Sequence, residues 1–275
     1  MKSPMLNRAR SRGAANLRKF AVGFSTTLCC AAVMLAAATA QTGSPRDALW
    51  QIVSTMCVPD QTQHHDPKPC SAVDLRDGDD RGFAILKDIR GETQFLLIPT
   101  ARISGMESPA VLAPEAANYF ASAWEARSYV AAALHKDLPP DDISLAINSL
   151  SSRSQDQLHI HIDCARMEVY DALHGAQGGI SSEWKPLQHP LFGHPYKAMW
   201  VAGEHLGANN PFKLLADGVP GARQDMGDYT LVVLGLTRHD GAKGFVLLED
   251  QVNREAHDLA SGEELQDHAC RIGRQ

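Results

Sequence analysis

Residues 157–164 read QLHIHIDC, and this alternation decides the fold class. Successive side chains on a β-strand point to opposite faces, so Leu158, Ile160 and Ile162 form an aliphatic face and Gln157, His159, His161 and Asp163 a polar one. The aliphatic face anchors the strand in a sheet. At about 3.3 Å of rise per residue the two imidazoles stand roughly 7 Å apart at Cβ, between an amide and a carboxylate. Two histidines at period two behind an aliphatic strand are hard to explain by packing and mark a candidate site. Asp163, at the far end of the row, reads as a surface acid.

The flanking sequence supplies the rest of a sheet. GFAILKDI (82–89) and TQFLLIP (93–99) are β-rich runs separated by Arg90-Gly91-Glu92, the pattern of an antiparallel hairpin. TLVVLGL and FVLLE, within Tyr229–Leu236 and Gly244–Glu249 and joined by RHDGAK, predict a second. Ile143–Ile147 and Lys197–Ala202 are further strand candidates. Helices are expected at Asp47–Met56, along the segment from Pro114 to Lys136, within Tyr170–Trp184, at Pro211–Leu215 and over the tail Arg254–His268. The class is α+β: one unit with an antiparallel sheet, packed helices and a C-terminal α+β extension.

The 275 residues carry a formal charge of −6, but six cations and no acid fall within residues 1–41, which leaves −12 for the remainder. An acidic body argues against nucleic acid as a partner. The cations precede an uncharged run, Phe20–Gln41, in the order a secretory translocon reads. Ala38-Thr39-Ala40 fits a cleavage site before Gln41, while about 20 uncharged residues also suffice to span a bilayer. Residues 1–41 are therefore a signal peptide or an N-terminal membrane anchor, and 42–275 an exported body. Oligomeric state is not legible.

Cys57, Cys70, Cys164 and Cys270 belong to that body, and an even number in an oxidising compartment suggests two disulfides of open connectivity. The short Pro-flanked loop VPDQTQHHDPKP favours Cys57 with Cys70, which leaves Cys164 for Cys270. The adjacent His64 and His65 in that loop read as solvated.

Two chemistries suit the histidine strand. A zinc site would need a third ligand such as His135, His174, His189 or His194. Alternatively a neutral imidazole attacks phosphorus while amides and cations hold the oxygens. The preceding loop, with Asn148, Ser149, Ser151, Ser152, Arg153, Ser154 and Gln155, suits a phosphate better than a metal. A non-catalytic nucleotide-binding module is the third reading.

FLLIPTARISGMESP (95–109), SLAINS (144–149), SQDQLHIHIDC (154–164) and QDHAC (266–270) resemble the histidine-triad superfamily and, more closely, the exported CDP-diacylglycerol pyrophosphatase family. The resemblance implies a HIT-like fold, a bacterial inner-membrane or periplasmic setting, no cofactor, and hydrolysis of CDP-diacylglycerol to CMP and phosphatidate. By position it implies that His159 is the nucleophile and His161 the third histidine of the triad, with Asn148 and Ser154 near the nucleotide phosphate. Gln157 stands where the superfamily has its first histidine, and Arg102 where many relatives have another; with Arg153 these complete the expected substrate contacts. An apolar mouth for the lipid would draw on Met199-Trp200 or Leu191-Phe192.

Overall fold

A computed structural model describes residues 45–275; the leader expected at 1–41 lies outside the described residues. Ten strands form one antiparallel sheet: β1 (Ala72–Asp74), β2 (Phe83–Lys87), β3 (Phe95–Pro99), β4 (Ile143–Ile147), β5 (Ile160–Ala165), β6 (Lys185–Pro186), β7 (Lys197–Ala202), β8 (Tyr229–Thr237), β9 (Lys243–Gln251) and β10 (Gln266–Asp267). Their spatial order is β1-β2-β3-β5-β4-β8-β9-β7-β6, with β10 paired to the end of β5. Both expected hairpins are present, as β2-β3 and β8-β9. The histidine strand β5 is central, held between β3 and β4.

Alternation along β5 divides the core. Ile160, Ile162 and Cys164 face the main cluster, built on the helices α3 (Tyr119–Glu125), α4 (Ser128–Leu134) and α6 (Pro211–Gly218) with Phe120, Trp124, Val130 and Phe212. The other face carries two separate apolar patches. One holds Ala146, Val232 and Leu248 with α5 (Met167–Ala176). The second holds Leu96 and Ile98 with the helices α1 (Ala48–Ile52) and α2 (Val58–His64), one continuous run through a π-turn at Val53–Cys57. His161 pairs with Leu96 on one side and Ala146 on the other, so the histidines occupy the seam between the two patches. Helices cover the patches and leave the polar row between them.

Three expectations are corrected. The helix expected from Pro114 is two short helices. Asn118 starts the first, its Oδ1 accepting from the Ala121 amide at 3.2 Å, and Arg127 ends it, donating from Nη1 to Trp124 O at 2.6 Å while its guanidinium lies 4.6 Å from the Trp124 ring. The N-terminal helix does not stop at Met56 but runs to His64, where His65 adopts a left-handed cap (φ 55°). The tail 254–268 is not a helix. It is a bridge between Asn253 and Asp258, a 3₁₀ turn at Gly262–Leu265 and β10. His257 and Ala260 there have positive φ, which breaks helical continuity in residues that lack glycine's freedom.

Cys57–Cys70 and Cys164–Cys270 are disulfide-bonded, the pairing favoured by the short loop. The second bond ties the tail to β5.

Candidate active site

His159 precedes the first residue of β5, and its ring nitrogen Nδ1 lies 2.7 Å from the carbonyl oxygen of Gln157. A carbonyl only accepts, so Nδ1 carries the proton and Nε2 the lone pair. Nε2 has no hydrogen-bond partner and still reaches solvent, although the residue is only 6% exposed. Burial, followed by the neighbouring His161, pushes the His159 pKa down to about 3. The imidazole is therefore neutral across the physiological range.

The His161 ring stands edge-on to it, 4.9 Å between centroids. Gln94 sets its tautomer: the amide nitrogen lies 2.9 Å from His161 Nδ1 and 3.2 Å from Glu263 Oε1, so one amide proton goes to each. Nδ1 then accepts and Nε2 carries the proton, and that Nε2 is buried with no partner of its own. Burial lowers the His161 pKa as well. One imidazole thus offers a lone pair and its neighbour an N–H.

Behind them lies a carboxylate hub. Glu263 Oε2 accepts from Asn148 Nδ2 at 3.1 Å, and Oε1 lies 3.3 Å from His268 Nε2. Asn148 returns the contact, its Oδ1 accepting from the Glu263 amide at 3.1 Å. Burial alone would raise the Glu263 pKa, but His268, His161, Gln94 and Asn148 together hold it below the ordinary carboxylate value. His268 also donates from Nδ1 to Asp163 Oδ2 at 2.8 Å, and these two carboxylates raise its pKa to about 9, against the opposing effect of burial. It is an imidazolium at neutral pH.

Asp163 is fully buried, which corrects its reading as a surface acid. Its Oδ1 accepts from Thr93 Oγ1 at 2.6 Å and from the Cys164 amide at 2.9 Å. Sequence reasoning also missed Gln94, Glu263 and His268. The QDHAC segment was the visible signal for His268, hidden by reading the tail as a helix.

The other expected residues divide. Asn148 joins the site through Glu263 and is 7% exposed. Gln157 is buried and its amide nitrogen donates to Pro99 O at 3.0 Å and Ala101 O at 2.8 Å, so it fastens the strand entry to the chain after β3. Arg153, 5% exposed at its side chain, is committed to Glu107 (2.6 Å) and Asp156 (3.2 Å). Ser154 is exposed. Arg102 lies over Trp50 and is paired with Asp47.

The expected third zinc ligands lie elsewhere. His135 caps α4, His174 faces Asp141, His189 is exposed and His194 lies against Glu264 and Asp258. His64 and His65 are exposed. Of the apolar pairs, Phe192 is 48% exposed and stacks on Arg166, whereas Leu191 is buried and Met199 and Trp200 pack against the cores.

The combination of a neutral outward lone pair, an adjacent N–H donor and a buried charged hub can support nucleophilic attack on phosphorus with stabilisation of its oxygens. Residues 44–274 match the protein family described as CDP-diacylglycerol pyrophosphatase. A curated relative from Yersinia pestis, "CDP-diacylglycerol pyrophosphatase", is 44% identical over 229 residues, which cover 83% of this chain and 86% of the relative.

Proposed function

Because the chain belongs to the CDP-diacylglycerol pyrophosphatase family, we propose that His159 Nε2 is the nucleophile with which it opens the pyrophosphate of its substrate. The enzyme hydrolyses CDP-diacylglycerol to CMP and phosphatidate. The observation that carries the proposal is the 2.7 Å contact of His159 Nδ1 with the Gln157 carbonyl, which turns an unprotonated Nε2 outward.

In the first step Nε2 attacks the phosphorus of the CMP half. A nitrogen–phosphorus bond forms, the bridging phosphorus–oxygen bond breaks, and the electron pair leaves with phosphatidate. That leaving oxygen belongs to a phosphate, so strong proton donation is not needed. In the second step water attacks the same phosphorus, the nitrogen–phosphorus bond breaks, CMP departs and Nε2 recovers its lone pair. His161 Nε2–H, a buried donor with no partner in the protein, would donate to a phosphoryl oxygen, and Asn148 is held at the same hub by Glu263. Donors of this kind contribute roughly 3 kcal/mol each to transition-state stabilisation. Ser154, on the exposed rim of the loop, is available to the nucleotide, while Arg153 and Arg102 shape the loop and its neighbourhood through their carboxylates. This arrangement is compatible with a histidine-triad hydrolase whose first imidazole is replaced by the amide of Gln157.

The setting we infer is the bacterial inner membrane, with the body facing the periplasm. Two disulfides suit an oxidising compartment, and the basic-then-apolar leader supplies export and membrane contact. Among the described residues no helix is long and apolar enough to cross a membrane.

The test is intermediate trapping. Enzyme mixed with CDP-diacylglycerol labelled at the CMP phosphorus and quenched in alkali should yield one labelled peptide containing His159. His159→Ala should fold, carry no label and release CMP at least about a thousandfold more slowly. Release by the wild type should persist in EDTA. A mutant that keeps substantial turnover, or label on another residue, would overturn the assignment.

A further inference from the structure

A second cluster of polar groups lies outside the histidine row. At the end of β9, Asp250 is 3% exposed; Asp258, on the bridged tail segment, is 2% exposed; His194 sits on the loop before β7. Each offers a ligand atom, and these atoms all lie within 4.8 Å of one another. The three residues line a cleft of about 930 Å³ with Lys197, Asn253 and Arg254.

Two buried carboxylates this close repel unless something positive stands between them. Burial and the adjacent Asp258 push Asp250 up to about 7. Asp250 Oδ2 is sealed from solvent and has no hydrogen-bond partner, while Asp258 Oδ1 accepts only a backbone amide, that of Ala260 at 2.8 Å, among its hydrogen bonds. The neighbouring cations are committed: Lys197 Nζ lies 2.6 Å from Glu249, and Arg254 donates to Ser151 at 3.0 Å. A fourth acid, Glu264, accepts from Tyr196 Oη at 2.8 Å and stands 2.7 Å from His194 Nδ1, the same nitrogen that lies 3.8 Å from Asp258 Oδ1, so that ring edge faces two carboxylates at once and Glu264 adds a further acidic oxygen beside the site.

We propose that His194, Asp250 and Asp258 form a binding site for a divalent first-row cation, Zn²⁺ or Mn²⁺. An imidazole nitrogen in the donor set disfavours Ca²⁺, which takes oxygen ligands. The site would be structural rather than catalytic. Asp258 begins the stretch whose Leu259 and Ala260 carbonyls accept from Ser149 Oγ (2.5 Å) and Ser149 N (3.2 Å), and Glu263 follows a few residues on. A cation here would clamp β9, the loop before β7 and the tail that supports the substrate loop.

The full chain, stripped with EDTA and dialysed, is titrated with Zn²⁺ and with Mn²⁺, each followed by calorimetry and thermal unfolding, with Ca²⁺ as comparison. One equivalent should bind and raise Tm by about 5–10 °C at a hundredfold excess over Kd. Asp250→Asn and Asp258→Asn should abolish both signals, and the more accessible His194→Gln, least able to disturb folding, should weaken binding at least tenfold. His159→Ala should bind as the wild type does, which separates this site from the histidine row and leaves the outcome independent of the nucleophile. No binding by the stripped wild type, with Asp250→Asn as stable as the parent, would mean that the two acids share a proton, and would overturn the proposal. Equal binding by wild type and variants would do the same by locating the cation elsewhere.

Discussion

His268 Nδ1 and Asp163 Oδ2 lie 2.8 Å apart although 105 residues separate them in sequence, and this contact brings a positive charge to the back of the histidine row. Through its other nitrogen His268 holds Glu263, which in turn holds Asn148 and Gln94, so His268 is a positioning residue. Its pKa is raised from 6.5 to about 9. The wild-type rate should therefore fall as pH rises through about 9. His268→Gln should lose that alkaline limb together with about a hundredfold in rate. The same shift predicts stability. A folded-state value above the unfolded one contributes in full below pH 6.5 and is lost as pH rises through 9, so urea midpoints of wild type and variant should converge toward pH 10.

His159 titrates in the opposite sense. Its pKa falls from 6.5 to about 3, so rate should show no limb near 6.5. The unfolded chain binds this proton first, and the group's share of stability is lost as pH falls from 6.5 toward 3. A pH–rate profile with an inflection near 6.5 that persisted in a His268→Gln background would contradict this assignment of protonation states.

Arg153 is expected to act through stability as much as through substrate. Arg153→Met leaves Glu107 without its buried partner, while Asp156 keeps Arg46 at 2.7 Å, and should cost about 1–3 kcal/mol, measured by denaturant unfolding. Gly105→Ala should be harmful for the same reason, because its Cβ would fall 1.9 Å from Arg153 Nη1. Arg102→Ala breaks a more exposed pair and should cost no more than about 1 kcal/mol.

The two disulfides should separate stability from catalysis. Cys164–Cys270 spans 106 residues and anchors the segment bearing His268, whereas Cys57–Cys70 spans 13 and staples the N-terminal helix to the strand region. In chain-entropy terms their removal costs about 5 and about 3 kcal/mol respectively. The double serine variant of the first pair should lose CMP release at temperatures where it remains folded by circular dichroism. The corresponding variant of the second pair should lose stability only.

What the sequence revealed follows the range of each interaction. Strand alternation is local, so β5, both hairpins and the pairing of His159 with His161 on one face could be read directly. The orienting carbonyl belongs to Gln157, two residues away, but hydrogen bonding by a main-chain oxygen leaves no mark on residue identity. Asp163 looked like a surface acid because period two assigns a face and says nothing of what covers it. Its cover is Thr93 and His268, brought in by a tail whose composition suits a helix. That tail departs from helix at His257 and Ala260, where contacts with the Ser149 loop and β5 outweigh local preference.

The late position of Glu263 and His268 has a consequence for biogenesis. A chain emerging N-terminus first can assemble the strands through β9 before the tail is added, and that intermediate already presents both row histidines. It lacks the hub that fixes Asn148, Gln94 and His161. Activity should therefore switch on only when the last segment docks and is covalently locked beside β5, which keeps a half-made enzyme from turning over its substrate.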